Sequence, residues 1–211
     1  MKRLGAGLLL ALAAAGAAQA ESSPAALARA LSPEARAVVL WSIAQRDARG
    51  RPFLVVDKRQ ATVAAFDADG TLRAVTPALL GLAPGDHSVP GIGERPIADI
   101  RPEERTTPAG RFEAELGRND KGEDILWVDY DAAVSLHRVR AGNPADRRLA
   151  RLASARTDDN RVSYGCINVP ATFYDLHVRP LFAPRNGVVY VLPETRPLSA
   201  VFGAGVGTPG R

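Results

Sequence analysis

Cys166 is the only cysteine among the chain's 211 residues. It stands in the run Arg161-Val162-Ser163-Tyr164-Gly165-Cys166-Ile167-Asn168-Val169-Pro170. A cysteine attacks as thiolate, and a thiol near its ordinary pKa of about 8.5 is mostly protonated at neutral pH, so a nucleophilic cysteine needs a base or a positive neighbour. The chain has three histidines. His87 lies in a proline-rich stretch, His137 ends the strand-like run Val134-Ser135-Leu136-His137, and His177 falls on a helix-like segment after the cysteine and points away from it. His137 is the best candidate base, because a strand end holds a side chain rigidly. Gly165 allows close approach of a substrate backbone, and the neighbouring amides can bind a developing oxyanion. Composition alone leaves a second reading open: a buried cysteine is equally a small hydrophobe, and a strand histidine equally a hydrogen-bonded core residue.

The lone thiol gains weight from the N-terminus. Lys2 and Arg3 precede an apolar run from Leu4 to Ala18, and Ala18-Gln19-Ala20 supplies a small-x-small cleavage pattern, so residues 1–20 read as a secretory signal peptide. The run is shorter than the roughly 20 residues that span a bilayer, so no stable membrane span is expected after cleavage. Exported chains pair their cysteines or avoid them, which makes an unpaired one stand out. Removing residues 1–20 takes two cations and no anions from a formal charge of +4, leaving +2 on 191 residues, enough for one domain. No basic stripe interleaved with aromatics is present, which excludes nucleic acid as a partner. No metal-ligand spacing is present, and no cofactor is expected.

The elements that must position these residues follow from periodicity. Ser32-Pro33-Glu34 is a helix start, with a capping serine, a first-turn proline and an acidic residue near the positive helix end; Val38, Val39, Leu40, Ile43 and Ala44 follow at helical spacing. From Phe53 the period becomes that of strands: 53–57, 61–66, then the turn Asp69-Gly70 leading into 71–75, and later 111–116, 125–130, 133–137 and 187–192. Two insertions break the series. Residues 84–110 are rich in proline and glycine, and 138–161 contain a predicted helix over 145–154; a further helix is predicted over 170–177. The fold class is therefore mainly β, a sandwich or barrel with a few peripheral helices. The organisation is 1–20 signal peptide, 21–50 helical segment, 51–193 catalytic domain, and 194–211 a Gly/Pro-rich tail whose composition suggests disorder.

Three ordered elements together resemble the YkuD-type L,D-transpeptidases, cysteine enzymes that cross-link bacterial peptidoglycan. That family's pattern is a histidine, a spacer, then Ser/Thr-His-Gly-Cys, a hydrophobic residue and commonly Asn or Arg. It corresponds here to His137 followed by Ser163-Tyr164-Gly165-Cys166-Ile167-Asn168. Thr107-Pro108-Ala109-Gly110-Arg111-Phe112 resembles the family's T-P-x-G-x-F element, and 54–70 its opening hairpin. The resemblance covers residues 51–193. It implies Cys166 as nucleophile, His137 as general base, Gly165 with the Cys166 amide as oxyanion donors and Ser163 as a shaping residue; Asn168 is expected on substrate, as is Arg138, which stands where the family often has a small residue. It also implies peptidoglycan stem peptides as partners and a periplasmic location.

Tyr164 replaces the family's usual histidine two before the cysteine, the spacer from His137 is long, and the proline-rich loop is unusual. Tyr164 either alters donor recognition or fills the histidine's space. Such features resemble a proteobacterial branch that forms 1,3 rather than 3,3 cross-links. Two alternatives keep the fold: a carboxypeptidase or endopeptidase using water as acceptor, and a non-catalytic wall-binding module. A papain-like order, cysteine early and histidine late, is not met.

Overall fold

The computed structural model describes residues 29–207, so the expected signal peptide lies outside the described residues. Short β-rich stretches separated by turn residues become strands β1 (Phe53–Asp57), β2 (Thr62–Phe66), β3 (Leu72–Pro77), β4 (Leu80–Gly81), β5 (Gly110–Arg118), β6 (Asp124–Asp129), β7 (Val134–Arg138), β8 (Arg161–Ser163), β9 (Ile167–Val169) and β10 (Gly187–Val191). Eight of them form one sheet in the order β3-β2-β1-β10-β5-β6-β7-β9. The β1–β10 and β7–β9 pairs are parallel, and the others are antiparallel. The hairpin turn before β3 forms as its sequence demands: Gly70 takes φ +85°, and Asp69 Oδ1 accepts from the Thr71 N–H at 2.9 Å.

The sheet curls until its edges meet. Beyond β3, Leu79 exchanges backbone hydrogen bonds of 2.8 Å in both directions with Asn168 of the far edge strand, and β4 then runs parallel to β8. This near-barrel closure brings the chain on both sides of Cys166 against the segment after β3. Inside the curl, Leu54, Val63, Leu126, Leu136, Ile167 and Val189 form one core. The helical stretch after β9 plugs it with Phe173, Tyr174, Val178 and Phe182. That stretch is α3 (Ala171–Phe173), a wide turn over Tyr174–Val178, and α4 (Arg179–Phe182). The widened turn, in which the Arg179 N–H bonds the Tyr174 carbonyl, sits beside Pro180, whose missing N–H and ring disturb the regular ladder.

A second core lies outside the curl. Helix α1 (Pro33–Ala44) is capped by Ser32, whose hydroxyl accepts from the Ala35 N–H at 3.0 Å and donates to Asp57 at 2.5 Å, tying the helix start to the end of β1. Its Ala35, Val38, Val39 and Ser42 are buried, while Leu40 and Ile43 turn outward. The tail departs from expectation. Helix α5 (Ser199–Phe202) buries Phe202, and Val206 follows it inside; the Phe202 ring lies 6.1 Å from both Trp41 and Tyr190. Its Gly/Pro content signals loops, but two apolar residues suffice to dock it where an aromatic face stands ready.

The helix predicted over 145–154 is also shorter: one turn at Pro144–Asp146, then α2 (Arg148–Leu152), with Arg147 between them at φ +48°. Only Leu152 is buried there, and a short helix with so little to pack has little tertiary support.

Candidate active site

Strand alternation builds the site. In the parallel β7–β9 pair, Leu136 lies beside Ile167 and His137 beside Asn168. Leu136 and Ile167 are both fully buried in the inner core. Ser135, His137, Cys166 and Asn168 therefore fall on the opposite face. There Cys166 is half-buried, with Sγ 3.7 Å from Ser135 Oγ and 3.8 Å from the Ala133 carbonyl. The His137 ring acts on the thiol from the same side of the ladder. Its Nδ1 lies 2.8 Å from the Arg138 carbonyl, which can only accept, so Nδ1 carries a proton and Nε2 is the ring nitrogen left free of that bond. Burial pushes the Cys166 thiol up, but the His137 ring, which as imidazolium favours the thiolate, and the Ser135 amide and hydroxyl outweigh it and hold the thiol below its ordinary value.

The turn before Cys166 is fixed from within. Ser163 Oγ donates to the Cys166 carbonyl at 2.6 Å and accepts from the Gly165 N–H at 3.1 Å. Asn168, fully buried, donates a further bond to the Cys166 carbonyl at 3.2 Å. Gly165 adopts φ +130°, and a Cβ there would sit 2.9 Å from the Thr106 carbonyl, so glycine is required both for the backbone angle and for the close approach.

The proline-rich segment is an ordered wall beside this turn. Three single turns, Ile92–Glu94, Ile97–Asp99 and Pro102–Glu104, bury Ile92 and Ile100. Glu104 binds them together, receiving the Arg95 and Arg101 side chains and the Arg101 N–H, bonds that hold its carboxyl at about 2. Arg105, anchored on the Ile100 carbonyl, lays its guanidinium 4.0 Å from the centre of the Tyr164 ring. The Tyr164 ring is thus held at the surface next to the cysteine turn.

Comparison with known proteins supplies structures rather than sequences. No protein-family model matches the chain, and no curated protein matches it. Among solved structures, the helical cell shape determining protein Pgp2 of Campylobacter jejuni aligns with 69% of this chain and 49% of its own length at 15% identity and a TM-score of 0.44. An L,D-transpeptidase of Xylanimonas cellulosilytica (residues 123–326) aligns over 67% and 60% at 17% identity and a TM-score of 0.41. The catalytic domain of the Enterococcus faecium L,D-transpeptidase aligns over 68% and 98% at 17% identity and a TM-score of 0.35. The chain spans about half the length of Pgp2.

The residues singled out from sequence are not all at the surface of the site. Cys166, His137, Gly165, Ser163 and Tyr164 meet around one turn. Arg138, expected on substrate, is taken by Asp124 at 3.0 Å and Asp175 at 2.5 Å and lies over the Tyr174 ring, so its charge is spent inside the protein. Asn168, also expected on substrate, is buried behind Cys166 and accepts from Arg148 at 3.2 Å. Of the two amides expected to face an oxyanion, that of Gly165 is committed to Ser163, leaving the Cys166 N–H. His177 lies against Phe173, its ring centre 5.5 Å away, and burial lowers its pKa; His87 is exposed on the proline-rich segment.

Sequence reasoning passed over Ser135, Lys58, Arg105 and the hydroxyl of Thr107. Ser135 had a usable signal, standing two residues before His137 on the same strand face. Lys58 had none, because lysine at a strand end normally reaches solvent. Among the described residues, no group of histidine, cysteine and carboxylate side chains could hold a metal ion, and no helix is long and apolar enough to cross a membrane.

Proposed function

We propose that the protein is an exported cysteine acyltransferase acting on peptidoglycan stem peptides, an L,D-transpeptidase. The observation that carries this is the placement of His137 and Cys166 on the same side of the β7–β9 ladder, with Nδ1 of the histidine spent on a carbonyl and the ring lowering the thiol's pKa.

In the proposed reaction Nε2 takes the thiol proton, and Sγ attacks the carbonyl carbon of the donor peptide. The Cys166 N–H meets the oxyanion. The amide C–N bond then breaks: the proton passes from His137 to the departing amine of a terminal D-amino acid, and a thioester remains on Cys166. An acceptor amine attacks that thioester, gives its proton to Nε2 and releases the thiolate, which recovers the proton. One amide is exchanged for another, so no ATP and no metal enter the balance.

The polymer is made outside the cytoplasm, and the signal-like N-terminus supports reading the protein as periplasmic. Tyr164 under Arg105, where the family usually has a histidine, gives the donor side of the site a cationic aromatic rim, and we assign the choice between 3,3 and 1,3 cross-links to that rim. Incubation with defined muropeptides tests the reading. Cross-linked dimers are expected from the wild type and none from Cys166→Ala. Shortened monomers without dimers would replace transpeptidation by hydrolysis, and no product would point to a binding module.

A further inference from the structure

Thr107 is fully buried, and its hydroxyl makes two bonds whose directions are fixed by chemistry. The Gly81 N–H, 2.9 Å away, can only donate to it, so the hydroxyl's own proton goes to the Gly165 carbonyl at 2.8 Å. The backbone of Thr107 is equally held. Its carbonyl accepts from Lys58 Nζ at 2.9 Å, and the fully buried Lys58 also binds Asp86 at 2.8 Å and the Gly85 carbonyl. Gly81 has no room for a side chain, since a Cβ would lie 2.4 Å from the Arg105 carbonyl and 2.7 Å from the Thr107 nitrogen, so the donor to Thr107 is packed in place.

The consequence reaches Cys166 through one peptide plane. In a trans peptide the carbonyl and the N–H point in opposite directions. With the Gly165 carbonyl drawn into the buried Thr107 side, the N–H of Cys166 is turned the other way. The neighbouring N–H of Gly165 is occupied by Ser163, so of these two amides that of Cys166 is the one left to face the substrate. We propose that Thr107 is a positioning residue for acyl transfer: by holding the Gly165 carbonyl, its hydroxyl aims the Cys166 N–H at the oxygen of the acyl group under attack. This rests on the acyl-transfer reading above and adds to it the group that orients the oxyanion donor.

Two reactions of the same thiol separate this role from a structural one. Acylation by p-nitrophenyl acetate passes through an oxyanion, whereas alkylation by iodoacetamide displaces iodide at a saturated carbon and forms none. Thr107→Val keeps the shape and removes the hydroxyl. It should slow acylation about 10- to 100-fold, short of the about 10²- to 10³-fold seen when an oxyanion donor is removed outright, and leave alkylation within about twofold. Thr107→Ser, which restores the hydroxyl, should recover acylation. If the valine variant fails to fold, Thr107→Ala, where water can occupy the vacated space, should show the same divergence between the two rates. Equal losses in both reactions, or unchanged acylation, would overturn the proposal while leaving the function intact. A wild type that alkylates readily but is never acylated would refute the acyl-transfer reading itself, and the role of Thr107 with it.

Discussion

Strands β10 and β7 follow the same alternation and put it to opposite uses. On β10, Val189 and Val191 enter the inner core while Val188 and Tyr190 face outward, where α1 and the tail cover them; every residue of the strand is buried. On β7, Val134 and Leu136 enter the same inner core, and Ser135 and His137 face outward beside Cys166. Where apolar helices cover the outer face, it becomes a second core of stacked and edge-on rings, with Phe53 and Phe66 4.7 Å apart and Tyr190 edge-on to Phe53. Where only the polar proline-rich segment and the cysteine turn approach it, the outer face keeps titratable groups half-exposed and paired. The outer core is concentrated over β2, β1 and β10, and the cysteine site lies at the β7–β9 edge.

The sharpest way to break this comparison is on the β7 side. His137→Ala should lower acyl transfer by about 10²- to 10⁴-fold, the usual contribution of a positioned acid–base group, with little change in melting temperature. It should also move the pH dependence of alkylation. In the wild type the thiol is held below its ordinary value, so reactivity should reach half its plateau below about pH 8.5 and fall as the pH drops and the thiolate is protonated. Without His137 the upward push of burial remains, and the midpoint should rise. A midpoint that stays put would show that His137 does not act on the thiol.

The β10 side should respond in the converse manner. Phe202→Ala removes a ring from the aromatic cluster and should cost about 3 kcal/mol of stability in denaturant titration. The acylation rate of the variant that remains folded should match the wild type. A comparable loss of acylation would mean that the outer core and the cysteine site are coupled. The smallest effect is expected at Arg138. Its partners Asp124 and Asp175 are more than a third exposed, so water screens both pairs, and Arg138→Leu should cost about 1 kcal/mol. KM for muropeptides should not change, whereas a raised KM would return Arg138 to the substrate.

Much of this architecture is legible in the chain. The turn at Asp69-Gly70, the cap at Ser32 and the strands at 53–57 and 187–191 follow from local rules, because turns, caps and β-branched runs are satisfied by near neighbours. The three-residue strands β8 and β9 escaped because they are too short to show a period and exist only through partners far away in sequence. The docking of Phe202 escaped for a similar reason: the tail has no periodic pattern, and its stability comes from rings contributed by α1 and β10.

The same division runs through the site. Residue type and order were enough to single out Cys166, His137 and Gly165, since a thiol, an imidazole and a side-chain-free backbone each carry their chemistry with them. Which groups would serve the substrate and which would serve the protein was decided only by closure of the sheet. Closure buried Asn168 and brought Gly81 and Thr107 against Gly165, while packing of the helical stretch against the sheet set Arg138 between two carboxylates. A buried carbonyl must find a donor and a charged group its counterion, and those partners lie tens of residues away along the chain. The fold, not the motif, therefore determines where the Cys166 amide points.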